Sequence, residues 1–121
     1  MPGPVLLIED DVDVREIVGE AILEAGYPAV GLGSGQTAVE YLRSNPPPRL
    51  ILLDWHLPAL GGAEVMQEVM KRPEFADIPV VLMSGDARAG KEDPEMSFAG
   101  RLAKPFTWEA LIRVLKRFLP D

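Results

Sequence analysis

The apolar positions of the chain fall into continuous runs separated by segments with helical spacing. Three strong runs, uninterrupted by polar residues, cover residues 4–8, 50–53 and 78–83. Such runs are typical of strands that are buried on both faces of a sheet. Weaker runs at residues 28–32 and 101–103 predict a second and a fifth strand in chain order.

Amphipathic helices are predicted between these runs. The first helix has apolar residues on one face, at i, i+3, i+4, i+7, i+8 and i+11: Val14, Ile17, Val18, Ala21, Ile22 and Ala25. Gly26 is placed to end it. Ser34 caps a second helix, a third lies between Gly62 and Pro73, and Thr107 caps the last.

The alternation of strands and helices predicts an α/β fold with a five-stranded parallel sheet and helices on both faces. Residues 86–100 fit this pattern least, because they contain Gly90, Pro94 and Gly100 and show no apolar stripe. We expect a short or irregular fourth helix there.

Length and composition predict one domain, residues 1–121, with a real hydrophobic core. Hydrophobic residues make up 47% of the chain, and no apolar run approaches the ~20 residues of a membrane span. The first residues lack the basic region of a secretory signal. The absence of cysteine fits a reducing compartment, so we expect a cytoplasmic protein.

The formal net charge of −7 argues against direct nucleic-acid binding, because such a surface repels phosphate backbones. An acidic surface is better suited to a partner with a basic patch or to a bound divalent cation. Solubility alone is the plainer explanation of the same charge.

Polar side chains stand where four of the predicted strands end. Glu9 and Asp10 follow the first strand, Asp54 the third, Ser84 the fourth and Lys104 the fifth. Each alone is an ordinary start of a solvated loop. Because ligands of open parallel sheets bind at the carboxyl ends of strands, their joint occurrence predicts one site.

This set of groups is suited to phosphoryl transfer. Clustered carboxylates repel one another unless a hard cation lies between them, and Glu9, Asp10 and Asp54 are ligands of the kind that Mg²⁺ prefers. Asp54 then serves as the nucleophile on phosphorus. The Lys104 ammonium and the Ser84 hydroxyl bind the transferred phosphoryl oxygens.

These residues stand in four motifs that resemble the receiver domain of two-component response regulators. The motifs are "VLLIEDDVDVRE", "LILLDWHLPALGG", "IPVVLMSG" and "LAKPF", in family order over the whole chain. The resemblance implies a flavodoxin-like fold with strand order 2-1-3-4-5. It also implies a lysine–proline bond that is usually cis.

The resemblance further implies that a histidine kinase or histidine phosphotransfer protein donates a phosphoryl group to Asp54. Mg²⁺ or Mn²⁺ would be held by Glu9, Asp10, Asp54 and the backbone carbonyl of His56. The domain would catalyse its own phosphorylation and dephosphorylation without being a conventional turnover enzyme, and would change its partner interactions. A homodimer is a further partner to consider.

Two departures from the family pattern concern the output. Arg101 occupies the position of the family's switch aromatic, and Phe98 is out of register, so the usual aromatic swing cannot operate. The segment before Arg101 also lacks a good fourth helix, and in many members of the family that helix and its neighbours form the output face. We hypothesise that the domain signals through another surface or serves as a phosphate acceptor. His56 and Asp86 would flank the phosphoryl group, and a polar rim position is the favoured interpretation of His56.

Two other functions fit part of the same pattern. A receiver-fold interaction module without phosphorylation stays open, and labelling by a small phosphodonor that Asp54→Asn abolishes would exclude it. A dehalogenase-type phosphatase needs a second acid two residues after its nucleophile, where this chain has His56. Core cover is the favoured interpretation of Trp108, ahead of a partner contact.

Overall fold

Strands and helices alternate along the chain in this computed structural model, which describes residues 3–91 and 93–120. In chain order the elements are β1 (Val5–Ile8), α1 (Val12–Glu24), β2 (Ala29–Leu32), α2 (Gly35–Ser44), β3 (Leu50–Asp54), α3 (Gly62–Met70), a 3₁₀ helix (Pro73–Phe75), β4 (Val80–Ser84), β5 (Gly100–Ala103) and α4 (Trp108–Phe118).

All five strands are parallel and form one sheet in the order β2-β1-β3-β4-β5. This confirms the predicted fold class and the strand order that the resemblance implied. Every residue of β1, β3 and β4 is buried, as their uninterrupted apolar runs predicted. The edge strands β2 and β5 are partly exposed, which explains their weaker patterns.

The continuous apolar runs supply two separate cores, one on each face of the sheet. On β3, Leu50 and Leu52 pack with α1 and α4, whereas Ile51 and Leu53 pack with α2 and α3. Successive side chains of a strand point to opposite faces, so both faces need apolar residues. Each buried Leu or Ile contributes roughly 1.5–3 kcal/mol.

Short polar side chains begin three of the helices as N-caps. The Ser34 hydroxyl accepts from the amide of Thr37, and the Thr107 hydroxyl from that of Ala110, at 3.1 Å each. Both caps were predicted. The Asp11 carboxylate also caps α1. This role accounts for an acid beside Glu9 and Asp10, so Asp11 is not needed as a metal ligand.

The connection from β4 to β5 contains turns and no α-helix in its described part, residues 85–91 and 93–99. The segment is irregular, as expected, but its described part does not form the short or irregular helix that the sequence predicted. Two side-chain contacts hold this connection in place. The Phe98 ring packs edge-on against the Trp55 ring, with 5.7 Å between the ring centroids. The Arg101 guanidinium donates a hydrogen bond to the Ala89 carbonyl. Gly90 has φ 76° and lies beneath Phe98, where a Cβ would clash.

Trp108, at the start of α4, is 43% exposed. Its favoured interpretation as core cover was therefore wrong, because the first turn of α4 presents it outward.

Among the described helices, none has the length and hydropathy that crossing a bilayer requires.

Candidate functional site

The predicted polar residues meet at the carboxyl edge of the sheet. Glu9 directly follows β1, Asp54 ends β3, Ser84 ends β4 and Lys104 directly follows β5. Because these four strands are adjacent and parallel, their ends converge. The Lys104–Pro105 peptide bond is cis, as the resemblance implied.

Lys104 joins the two buried acids of the site. Its Nζ lies 2.5 Å from Oε1 of Glu9 and 3.4 Å from Oδ2 of Asp54. Glu9 is fully buried and Asp54 is 4% exposed. An ammonium between two desolvated carboxylates offsets part of their mutual repulsion.

Three carboxylates form a cluster with the spacing of a cation site. Glu9, Asp10 and Asp54 each offer an oxygen, and these oxygens all lie within 4.8 Å of one another. Oε2 of Glu9 is buried and accepts no hydrogen bond. Because buried polar atoms are normally satisfied, an orphaned carboxylate oxygen in such a cluster fits a ligand of a hard divalent cation.

Burial and nearby charges shift the pKa values of the two buried acids, Glu9 and Asp54, in opposite directions. Burial, reinforced by Asp54, raises the pKa of Glu9 to about 8, although Lys104 acts against this. Burial alone would raise the pKa of Asp54, but hydrogen bonds with Glu9 and the His56 amide, and the Lys104 charge, lower it. Without a cation at neutral pH, Glu9 therefore keeps a proton while Asp54 is the ionised nucleophile.

The ammonium stays charged in the same surroundings. Burial alone would lower the pKa of Lys104, but its contacts with Glu9 and Asp54 raise it. Lys104 is thus a permanent cation at the position where a phosphoryl oxygen would need one.

His56 connects the nucleophile to the hydroxyl group. Its backbone amide donates to Oδ1 of Asp54 at 3.1 Å, and its Nε2 lies 3.0 Å from Oγ of Ser84. Oγ also accepts from the Asp86 amide at 2.9 Å. The sequence predicted a polar residue at the rim but not this contact with Ser84.

The Asp86 carboxylate turns toward its own loop. Its Oδ1 accepts from the backbone amide of Arg88 at 2.9 Å, and this bond, the largest cause, lowers the pKa of Asp86. In this conformation the carboxylate closes a turn two residues after Ser84.

Arg15 is a site residue that sequence reasoning missed. Its Nη1 donates to the backbone carbonyl of Glu9 at 2.8 Å. The side chain crosses Gly31 and Gly33, and a Cβ on Gly33 would lie 2.9 Å from Nη1. The available signal was an arginine six residues after Glu9 together with two glycines at alternate positions at the end of β2.

An open parallel sheet with acids, a hydroxyl and a lysine at its carboxyl edge defines the class as a flavodoxin-like α/β protein with a candidate phosphoryl-transfer site. The family model for the response regulator receiver domain matches residues 5–116, and the chain belongs to this family of two-component signalling domains.

Similar proteins support this membership. The chain is 32% identical over 120 residues to the phosphate regulon transcriptional regulatory protein PhoB of Escherichia coli K12, covering 96% of this chain and 51% of PhoB. It is 28% identical over 123 residues to the polar-differentiation response regulator DivK of Brucella anthropi, covering 100% and 99%. The chain thus spans about half the length of PhoB.

A solved structure shares the fold. The receiver domain of the sensor histidine kinase PA1611 from Pseudomonas aeruginosa PAO1, which holds a magnesium ion in its active site cleft, superposes with a TM-score of 0.83. The sequence identity is 24%, and the match covers all of both chains.

Proposed function

We propose that this receiver domain, taken as residues 1–121, accepts a phosphoryl group on Asp54 from a phosphohistidine of a histidine kinase or histidine phosphotransfer protein in the cytoplasm. The contact of Lys104 with both Glu9 and Asp54 is the observation that carries this proposal. This contact brings the Lys104 ammonium from the end of β5 to the proposed nucleophile at the end of β3. If Lys104 only began a solvated loop, it would have no need to contact these acids.

Mg²⁺, or Mn²⁺ in its place, would be held by Glu9, Asp10, Asp54 and the backbone carbonyl of His56. The orphaned Oε2 of Glu9 supports this assignment. When bound, the cation supplies positive charge that offsets the acids and polarises the phosphoryl oxygens.

The protein's own groups divide the remaining work. An Asp54 carboxylate oxygen forms a bond to phosphorus as the bond from phosphorus to the donor imidazole nitrogen breaks, and the electron pair leaves with the imidazole. The Lys104 ammonium donates to one phosphoryl oxygen. Ser84 donates its hydroxyl proton to another and keeps accepting from the Asp86 amide.

We expect the output of this domain to differ from that of the family. Arg101 stands in place of the switch aromatic and binds the Ala89 carbonyl, so no aromatic ring at this position can swing toward Ser84. Our hypothesis is that the domain signals to its partners through a surface other than the one around Arg101, or that it serves as a phosphate acceptor. A complex with a phosphoryl mimic would refute this hypothesis if it showed the family's conventional rearrangement of the surface around β5 and the connection before it.

The proposal is tested by labelling with a small phosphodonor. We expect Mg²⁺-dependent gain of one phosphoryl group by mass spectrometry, abolished in Asp54→Asn. The matched control is Asp77→Asn, an exposed acid outside the site. Equal labelling of the wild type and Asp54→Asn would overturn the assignment, and no labelling of the wild type would favour the interaction module.

A further inference from the structure

A pocket lies near the starts of β4 and β5, at the opposite end of the strands from the candidate site. It is bounded by the end of α3, the 3₁₀ helix and the residues just before β5, and it is here called the α3 pocket. Its volume is about 300 Å³. Its floor is apolar and buried, and consists of Met66, Val69, Phe75 and Ile78. A cavity of this size and character suits one large apolar group.

The irregular connection between β4 and β5 forms one wall of the α3 pocket. The described part of the connection, residues 85–91 and 93–99, contains turns and no α-helix, and its exposed Glu95 and Ser97 line the pocket. Met70 of α3 also lines the pocket and is 45% exposed. An exposed apolar side chain beside an apolar cavity is available to a ligand.

Lys71 and Arg72 bring two cations to the α3 pocket, and the buried carboxylate of Glu68 holds them there. Glu68 is 5% exposed, and its oxygens lie 3.8 Å from Nζ of Lys71 and 3.4 Å from Nη2 of Arg72. The Arg72 guanidinium also lies over the Phe75 ring, 5.6 Å from its centroid. Because these contacts already orient Arg72, it loses little conformational freedom when it binds a carboxylate.

The cations of this cluster outnumber its acid. Arg43 of α2 also pairs with Glu68, at 3.0 Å, so three cations meet one carboxylate. Glu95 is the one acid among the described residues that line the pocket, and it belongs to the connection before β5. On a chain with a formal net charge of −7, this is a local excess of positive charge that attracts carboxylates and repels a basic segment.

We propose that the α3 pocket binds a short segment of a partner protein that carries a large apolar side chain next to two acidic residues. The apolar side chain fills the cavity, as the anchor residues of protein interfaces do. The two acids pair with Lys71 and Arg72. A free organic acid would occupy the cavity but would not reach Arg43 on α2, whereas an extended segment spans all three cations.

The proposal concerns the domain without a phosphoryl group, so its test is separate from that of the proposed function. The probe is the peptide Ser-Phe-Glu-Glu-Ser, acetylated and amidated at its ends. We expect a Kd of about 0.1–1 mM, as suits one anchor side chain and two surface charges. NMR spectra of the full chain with labelled methionine methyl groups should show saturable shifts of Met66 and Met70. Met83, which is fully buried in the core on the other face of the sheet, is the internal control and should not shift.

Two exposed variants test the charges with opposite signs. Lys71→Gln should weaken peptide binding about two- to threefold, and Glu95→Gln should strengthen it by about the same factor. Lys116→Gln, which removes an exposed cation of α4, is the matched control and should leave the affinity unchanged. Circular dichroism should show all three variants folded, since the substituted side chains are exposed.

The absence of saturable Met66 and Met70 shifts at about 5 mM peptide would overturn the proposal. Equal affinity for Ser-Ser-Glu-Glu-Ser, which lacks the anchor, or for Ser-Phe-Lys-Lys-Ser, which reverses the charge, would do the same. So would a Glu95→Gln variant that binds more weakly than the wild type. Shifts of the same methyl groups when the chain alone is concentrated would assign the pocket to a second copy and exclude the partner segment.

Discussion

Nε2 of His56 lies 3.0 Å from the Ser84 hydroxyl oxygen, so an imidazole already binds the group that a phosphoryl oxygen would need. Oγ of Ser84 has one proton and two lone pairs, and the Asp86 amide uses one lone pair. When Nε2 carries no proton, it accepts the Ser84 proton and competes with the phosphoryl group. His56 is thus placed to limit the proposed phosphorylation through its contact with Ser84.

Removing the imidazole should release the Ser84 hydroxyl. We expect His56→Ala to raise the labelling rate with a small phosphodonor about two- to fivefold, the equivalent of one net hydrogen bond. Glu74→Ala, an exposed change in the 3₁₀ helix, should leave the rate unchanged. A slower rate in His56→Ala would show that the imidazole assists the transfer instead.

The raised pKa of Glu9 predicts how stability depends on pH in the absence of divalent cations. An unfolded Glu ionises near its ordinary value of 4.5, whereas Glu9 in the fold keeps its proton until about pH 8. Between these values the folded state binds more protons, so rising pH favours unfolding. The free energy of unfolding should fall by up to about 1 kcal/mol per pH unit relative to Glu9→Gln, measured by urea denaturation from about pH 5 to 8.

Asp54 and Lys104 do not confound this measurement. The pKa of Asp54 is lowered and that of Lys104 is raised, so both stay charged throughout the window. Mg²⁺ should restore stability at the alkaline end, because a cation replaces the proton that Glu9 has lost. Parallel pH profiles of the wild type and Glu9→Gln would contradict the assignment.

The contact of Arg15 with the Glu9 carbonyl predicts a role in positioning the metal cluster. Arg15→Lys loses the bond, and Gly33→Ala pushes a methyl group to 2.9 Å from Nη1. We expect either change to weaken Mg²⁺ binding about tenfold, as loss of groups that orient ligands does. Mg²⁺ titration followed by Trp55 fluorescence measures the affinity.

Gly19→Ala is the matched control for that experiment, since a Cβ on Gly19 meets nothing within 4 Å. It should leave Mg²⁺ affinity unchanged and raise helix stability by about 0.5–1 kcal/mol. Unaltered affinity in Arg15→Lys and Gly33→Ala, with normal binding by the wild type, would exclude the positioning role. Absence of Mg²⁺ binding by the wild type would instead count against the proposed metal site.

The fold was predictable because its signals are local. The runs before Glu9 and Asp54 are buried on both faces, and Ser34 and Thr107 cap their helices as their positions indicated. Once the strands are parallel, topology alone brings the residues at their ends to one edge. The meeting of Lys104, Glu9 and Asp54 follows from that rule.

The features that the sequence did not predict depend on side-chain reach and on position along a helix. Arg15 binds the backbone carbonyl of Glu9. Because every residue has a backbone carbonyl, the sequence does not indicate which one a side chain will bind. The contact of His56 with Ser84 requires one side-chain orientation among several. Trp108 has the helical spacing of the apolar stripe of α4, but it is the first residue of the helix and stays 43% exposed.

The edge-on contact between Phe98 and Trp55 gives the last prediction, since these rings hold the irregular connection against the residue after Asp54. Phe98→Ala should lower the free energy of unfolding by about 1–3 kcal/mol, because Phe98 is partly buried, and should shift Trp55 emission to the red. Urea denaturation and fluorescence measure both effects. Ser97→Ala, its exposed neighbour, should change neither. An unshifted emission spectrum in Phe98→Ala would show that the connection does not rest on Trp55.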